Sequence, residues 1–267
     1  MSISTQIITF DFKLFLGNAI KSLSIDLIKI KARPTAVTLT LRQAIPLPSN
    51  KRLKQFFHHK QLTYFTAALE WSDPETDFQS VLSVINTQEE PLSISDLIKH
   101  ENAIQDACFY RDKIIIIMSN DWSCCTMNIY SLDGELIRSW DLPSRFNSVT
   151  IAGDHIVVLS GDGDIHIYSE TGEVIRSITL HRLVECEECG QEIDDVGAMK
   201  EVDDKSILLI CDSTIRRFNL STKQVMWRYT HDKDIIDAVY DGHGNIICMD
   251  RCGDLITLDV TSGKFKI

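Results

Sequence analysis

The sequence predicts an all-β protein, a β-propeller of four-stranded antiparallel blades, six in number with seven as the alternative. The main observation is a short apolar strand that recurs along the second half of the chain. If Ile114, Ile156, Ile207 and Ile246 are taken as equivalent positions, successive copies are 42, 51 and 39 residues apart. Continuous apolar runs of this length are typical of strands buried on both faces, as in the middle of stacked blades.

The second observation is a hairpin that follows each apolar strand. Residues 128–140 read NIYSLDGELIRSW, and residues 166–178 read HIYSETGEVIRSI; related hairpins occupy 216–227 and 256–267. Each hairpin supplies two strands joined by a turn that contains Gly or Thr. Shorter strands precede the apolar ones, so that each unit has four strands; they lie at 106–110, 148–151, 197–200 and 237–240.

The first part of the chain contains weaker copies of the same unit. Residues 56–66 align on 108–118 without a gap, and an outer hairpin at 80–95 completes that blade. Residues 1–52 are basic and contain three runs that alternate at strand period, which we interpret as a degenerate blade. The predicted organisation is this segment followed by five blades, at 53–97, 103–142, 146–180, 195–230 and 235–267.

The blade endings carry a family resemblance. Residues 218–227, FNLSTKQVMW, and 258–264, LDVTSGK, resemble the outer hairpin of quinoprotein-type blades, and 238–250 resembles the opening of an NHL blade. Over residues 53–267 the chain therefore resembles the broad class of WD40, NHL and quinoprotein-like propellers. It departs from the WD40 repeat, because its one Trp-Asp pair, Trp140-Asp141, ends a fourth strand. The resemblance implies the fold and carries over no site.

Charge is distributed unevenly along the chain. The net charge is −11, but residues 1–60 contain ten Lys/Arg and two Asp/Glu, which leaves −19 for the remainder. The part of the chain after residue 60 is acidic enough to repel phosphate backbones, which argues against nucleic acid as a partner of the repeats. No apolar run is long enough for a membrane helix, and the first residues do not resemble a secretory signal. We therefore expect no membrane partner and a cytoplasmic or nuclear protein.

Candidate binding residues come from the loops of one propeller face. That face carries the loop into each innermost strand and the loop between the second and third strands. An exposed Trp in such a loop is a contact signal, since Trp is enriched at binding hot spots. The candidates are Asp121, Trp122, Arg145, Asp162, Asp164, Ser213 with its neighbour Asp212, His231 and Arg251.

The longest loop of that face contains a Cys-x-x-Cys pair, Cys186 and Cys189. Such a pair suits two corners of a tetrahedral zinc site, but no second pair follows it in the sequence. The surrounding glutamates raise thiol pKa values and so disfavour reactivity. A plain acidic insertion is the alternative that we favour, and we expect no cofactor.

No nucleophile-elbow, phosphate-loop or dinucleotide-binding motif occurs in the chain. The sequence therefore predicts a non-catalytic protein-protein interaction scaffold, with a protein or peptide partner that is basic to match the acidic body. One alternative is a metal-dependent hydrolase whose site lies in the central channel, with Asp106 and Asp237 as candidate ligands. Another is the substrate-recognition part of a larger protein, such as an NHL-type ubiquitin ligase.

Overall fold

The computed structural model describes residues 5–15, 19–30, 33–46, 51–59, 62–69, 80–86, 93–119, 124–180 and 196–266, with side chains at 66, at 80–84 and from 95 onward within these ranges. Every element in these ranges is a strand or a turn. No helix able to cross a membrane occurs among them. The chain divides into two compact units, Met1–Asp96 and Leu97–Lys266.

The first unit contains two antiparallel sheets. One has the order β1-β2-β3 and the other β4-β5-β6-β7, whose last strand ends beyond the unit boundary. The three alternating runs of the sequence fall on the first three strands. The strands are β1 (Thr5–Phe15), β2 (Ala19–Ile30), β3 (Arg33–Pro46), β4 (Lys51–His59), β5 (Leu62–Leu69), β6 (Ser80–Asn86) and β7 (Ser93–His100).

The second unit consists of four consecutive antiparallel sheets, which we name blades A to D. Blade A contains β8 (Ala103–Tyr110), β9 (Lys113–Ser119), β10 (Cys125–Ser131) and β11 (Leu136–Leu142). Blade B contains β12 (Phe146–Ala152), β13 (His155–Ser160), β14 (Asp164–Tyr168) and β15 (Val174–Thr179). Blade C contains β16 (Ala198–Asp203), β17 (Ser206–Cys211), β18 (Thr214–Asn219) and β19 (Gln224–Thr230). Blade D contains β20 (Ile235–Tyr240), β21 (Asn245–Asp250) and β22 (Leu255–Asp259).

The second strands of blades A, B and C are apolar along most of their length, and both of their faces are buried. In blade D, β21 buries alternate residues only. In β13, Ile156 and Val158 belong to the cluster shared with blade A, whereas Val157 and Leu159 belong to the cluster shared with blade C. Alternate residues of a strand point to opposite faces, so one strand contributes to two cores. A third cluster joins blades C and D in the same way. Consecutive blades from A to D are thus joined by shared apolar clusters.

The repeated hairpin has one construction in all four blades. A side-chain oxygen at the end of the third strand accepts hydrogen bonds from backbone N–H groups of the following turn. The fourth strand then has a β-bulge opposite the end of the third in blades A, B and C. The accepting residues are Ser131, Ser169, Asn219 and Asp259.

The same hairpins join neighbouring blades at the outer rim. Arg138 of blade A donates to Thr171 O of blade B at 3.1 Å, and Arg176 of blade B donates to Leu220 O of blade C at 3.1 Å. In blade C the donor is Trp227, whose Nε1 lies 2.8 Å from Val260 O of blade D. One position of the fourth strand therefore ties each blade to the next.

The innermost strands are joined by a second chain of polar contacts. Asp106 of blade A accepts hydrogen bonds from Ser148 Oγ at 2.7 Å and Val149 N at 2.8 Å, both in blade B. Ser148 Oγ in turn accepts from Met199 N of blade C at 3.1 Å. Lys200 of blade C pairs with Asp237 of blade D at 3.0 Å. These contacts set the register of one blade against another.

The predicted fold class is confirmed, since antiparallel sheets are arranged as a β-propeller. The number of blades stays a prediction. One detail of the repeat differs, because the fourth strand expected at the end of blade D is a single bridge between Leu258 and Phe265. Asp106, a candidate channel ligand, is a half-buried acceptor of hydrogen bonds from blade B, and burial raises its pKa despite these bonds.

Candidate functional site

Two faces of the second unit can be distinguished by the connections they carry. The loop face carries the loops between second and third strands, at 119–125, 160–164, 211–214 and 250–255, and the connections between blades, at 142–146, 179–198 and 230–235. The turn face carries the hairpin turns at the other ends of the strands. The predicted binding residues that the structure describes fall in the connections of the loop face.

In blade D, the loop face is built on the buried Asp250 at the end of β21. Asp250 Oδ1 accepts hydrogen bonds from Cys252 N at 2.9 Å and Asp254 N at 2.8 Å. Gly253, with a φ of 86°, donates to Asp250 O at 2.9 Å. The left-handed conformation at Gly253 closes this turn and holds Asp254 at its exit. The turn is therefore fixed by its own backbone.

Two basic side chains lie near the other oxygen of this carboxylate. Asp250 Oδ2 is 3.2 Å from Lys233 Nζ and 3.4 Å from His231 Nε2. Burial opposes ionisation of Asp250, but hydrogen bonds from Asp254 N and the Lys233 ammonium outweigh it and hold its pKa below the ordinary value. Lys233 also pairs with Asp254 at 2.8 Å, and these carboxylates raise its pKa. The group is a locked ionic network.

The connection between blades C and D is held at three points. His231 N donates to Ser213 O at 2.8 Å, and Ile235 N donates to Asp212 O at 2.7 Å. Arg251 N donates to Asp234 O at 2.8 Å, and its guanidinium pairs with the carboxylate of Asp234 at 3.3 Å. These bonds join the loops of two blades into one platform.

Blade B repeats this construction with different side chains. Gly161 N donates to Arg145 O at 2.7 Å, just as Arg251 N donates to Asp234 O. Ser160 takes the place of Asp250, because its Oγ accepts from Asp164 N at 3.0 Å. Phe146 is wholly buried below the loop and lies 5.4 Å from the His166 ring, edge to face. The loop face of blade B is therefore preorganised like that of blade D.

The side chains that project from these loops are mainly acidic. Within the described part of the loop face, the exposed carboxylates are Asp162, Asp212, Asp232, Asp234 and Asp254. The exposed bases are Arg145 and Arg251, and Arg251 already pairs with Asp234. Such a surface attracts cationic groups.

The structure brings the predicted residues together in two groups. Asp212, Ser213, His231 and Arg251 belong to the hydrogen-bonded platform of blades C and D. Arg145, Asp162 and Asp164 lie in the corresponding loops around blade B. Asp121 and Trp122, with Cys186 and Cys189, lie outside the described residues, so the proposed contact and metal roles of these four stay predictions.

Sequence reasoning missed the residues at the centre of the platform, Lys233 and Asp250. A signal for Asp250 exists, since an Asp that ends an apolar strand and is followed by Gly three residues later is typical of a side-chain-capped turn. Lys233 has no comparable signal. Its partners Asp250 and Asp254 come from the following hairpin, and only the register of β20 on β21 brings them near.

The residues described by the structure contain no group of three His, Cys, Asp or Glu side chains placed to hold a metal ion. The two carboxylates considered for a channel site have other contacts. Asp106 accepts from Ser148 and Val149, and Asp237 pairs with Lys200.

Comparison with solved structures identifies propellers of the same fold. The chain is similar to Saccharomyces cerevisiae Sqt1, with a TM-score of 0.53 and 13% identity, over 94% of this chain and 70% of that chain. For the Neurospora crassa Pan2 WD40 domain the TM-score is 0.54 at 10% identity, over 79% and 63%. For the WD40 β-propeller domain of Doa1 it is 0.58 at 14% identity, over 100% and 86%.

No protein-family model matches the sequence, and no curated protein does so. At the identities found, the structural likeness establishes a fold and nothing finer. The sequence resemblance to the broad propeller class is confirmed at that level, and the similar structures include WD40 domains. The chain therefore has the fold of the WD40-type β-propellers.

Proposed function

We propose that this chain is a non-catalytic protein-interaction scaffold inside the cell, which binds a basic segment of a partner protein on its loop face. The observation that carries the proposal is the fixed platform around Asp250. Asp232 Oδ1 lies 3.0 Å from His231 Nε2, and Asp254 Oδ2 lies 2.8 Å from Lys233 Nζ, so these exposed carboxylates are held in place before a partner arrives. Preorganised contacts favour binding because little conformational entropy remains to be lost.

The basic character of the partner follows from charge balance. Five exposed carboxylates, against Arg145, Arg251 and the partly exposed Lys233, give the described loop face a negative potential. The sequence of the connection between blades B and C, residues 181–195, adds six Asp/Glu and one Arg. A Lys- or Arg-containing segment would be steered towards such a surface, and acidic proteins would be repelled from it.

A displayed library of random peptides can test this proposal. We expect the peptides selected on the wild-type protein to be enriched in Lys and Arg. Their binding should fall at least tenfold on a loop-face variant, Asp162→Lys/Asp232→Lys. A matched turn-face variant, Asp133→Lys/Asp204→Lys, makes the same charge change at exposed positions and should bind like the wild type.

Selected peptides without excess positive charge would contradict the basic partner. Equal losses in both variants would contradict the loop face as the binding surface, since only bulk charge would then matter. Calorimetric melting of each variant shows whether it is folded, and so separates lost binding from lost structure.

A further inference from the structure

A second surface lies on the outer rim, away from the loop face. The fourth strands of blades A and B each expose two adjacent apolar side chains: Leu136 is 56% exposed and Ile137 51%, and Val174 is 54% exposed and Ile175 52%. Blade C continues the series with Met226, 49% exposed. We call Leu136, Ile137, Val174 and Ile175 the rim band.

The rim band arises from the bulge of the repeated hairpin. Tyr130 pairs with Leu136 and Ile129 with Arg138, so Ile137 is the extra residue of the fourth strand. Ile175 holds the same place in blade B, between Val174 and Arg176. A bulge breaks the alternation of faces along a strand, which allows neighbouring residues both to face solvent. The bulge also makes the edge of the fourth strand a poor template for the addition of another strand. A partner therefore contacts the rim band through side chains.

Charges of opposite sign flank the rim band on its two sides. Along each fourth strand the order is Glu, two apolar residues, Arg: Glu135 to Arg138 in blade A and Glu173 to Arg176 in blade B. Among the described residues neither glutamate has an ion-pair partner. Each arginine uses part of its guanidinium to bond the next blade, which fixes it in place and leaves other N–H groups available.

This arrangement is self-complementary. A twofold axis that lies in the plane of the rim and runs across the two strands reverses the strand direction, so that blade A faces blade A and blade B faces blade B of a second copy. The apolar pair of each blade then faces the same pair of the second copy, while Glu135 faces its Arg138 and Glu173 faces its Arg176. An isologous interface requires one patch that matches itself in this way. Blade C lacks the pattern, because Gln224 stands where the glutamates stand.

We propose that the rim band is a homodimer interface, with a second copy of this chain as its occupant. The proposal does not depend on the loop face. Two apolar pairs with four ion pairs form a small interface, for which a Kd between about 1 and 100 µM is expected. The acidic loop faces, which would repel one another, are directed away from the rim.

Sedimentation equilibrium of the full chain tests this interface. We expect reversible dimers in the wild type, and a Kd at least tenfold higher in Ile137→Ser/Ile175→Ser. A control with the same change at an exposed apolar position off the rim, Ile236→Ser, should dimerise like the wild type. A chain that is monomeric at about 100 µM would overturn the proposal, as would dimers that persist unchanged in the rim variant.

Charge reversal provides a test that does not depend on losing an interaction. Glu135→Lys/Glu173→Lys gives an all-basic rim, and Arg138→Glu/Arg176→Glu gives an all-acidic one. Each variant alone should be monomeric, and a mixture of the two should form heterodimers. If both variants are folded by circular dichroism and do not associate when mixed, the pairing is wrong and the rim band serves another partner.

Discussion

The loop face and the turn face of the second unit use charged side chains differently. On the turn face, charged groups are paired within and between blades: Arg217 contacts Asp203 and Val260 O, and Lys266 contacts Asp259 and Gly244 O. On the loop face, one network is locked around Asp250, and the exposed carboxylates of Asp162 and Asp212 have no ion pair among the described residues. The difference suggests that charge serves stability on one face and recognition on the other.

The contrast also follows from the chain path. The turn face is made of short hairpin turns, whose side chains lie close to the neighbouring blade. The loop face also carries the connections that lead from one blade to the next. Loops on a rigid scaffold are where proteins place binding residues. The predictions below test whether the two faces separate stability from binding.

The largest effect is expected at Arg217 of the turn face. Its side chain is 12% exposed and bonds Asp203 Oδ2 at 2.6 Å, Ser206 Oγ at 3.0 Å and Val260 O at 2.9 Å. Arg217→Ala should lower the free energy of unfolding by about 2–4 kcal/mol, because it leaves a carboxylate and a carbonyl without their donor. Urea denaturation measures this, and Arg217→Lys should lose less. Loss of only a few tenths of a kcal/mol would contradict a stabilising turn face.

A matched pair of glycines sharpens the comparison. Both have positive φ, +65° at Gly263 of the turn face and +86° at Gly253 of the loop face. A Cβ added at Gly263 would lie 2.6 Å from the Trp227 ring. A Cβ added at Gly253 would meet no atom within 4 Å. Gly253→Ala should cost about 1 kcal/mol of backbone strain.

Gly263→Ala adds the clash to the same strain and should cost about 2–4 kcal/mol in all. Thermal unfolding of the two variants side by side gives the difference. Equal losses of stability in the two variants would mean that Trp227 moves aside freely and that its packing does not stabilise blade C against blade D.

A smaller effect is expected from acid. The Lys266 ammonium and the Ser262 N–H hold the pKa of Asp259 at about 2, below that of an unfolded chain. Its stabilising contribution is therefore complete above about pH 4 and is lost as the pH falls towards 2. Asp259→Asn should flatten the pH dependence of the urea midpoint between about pH 4 and 2. Lys266→Met should narrow the pH range over which the midpoint falls, because it removes the ammonium that lowers the pKa of Asp259. An unchanged profile in both variants would contradict this pairing.

Much of the fold can be predicted from the sequence because its determinants are local. The apolar runs at Ile114, Ile156, Ile207 and Ile246 and the repeated hairpin lie within single blades, so spacing alone reveals them. The shortened fourth strand of blade D could not be predicted, since residues 256–267 keep the hairpin pattern. Whether Phe265 extends that sheet depends on contacts formed beyond the hairpin.

The candidate site could be predicted only in outline. Loop positions such as Asp162 and Arg251 follow from topology, but the partners of Asp250 and Asp106 come from other hairpins. Ser148, which bonds Asp106, is 42 residues away in the chain. The rim band could not be predicted for a different reason. Two adjacent apolar residues in a strand indicate burial, and only the bulge turns both of them towards solvent.

The most direct test of the account is a quantitative affinity capture from cell lysate with two single variants. Asp162→Lys changes an exposed loop-face carboxylate, and Asp133→Lys makes the same change in an exposed turn of the turn face. We expect Asp162→Lys to lose partners that the wild type and Asp133→Lys retain, with all three proteins equally stable within about 0.5 kcal/mol. If instead Asp133→Lys loses the partners and Asp162→Lys keeps them, the loop face is not the interaction surface.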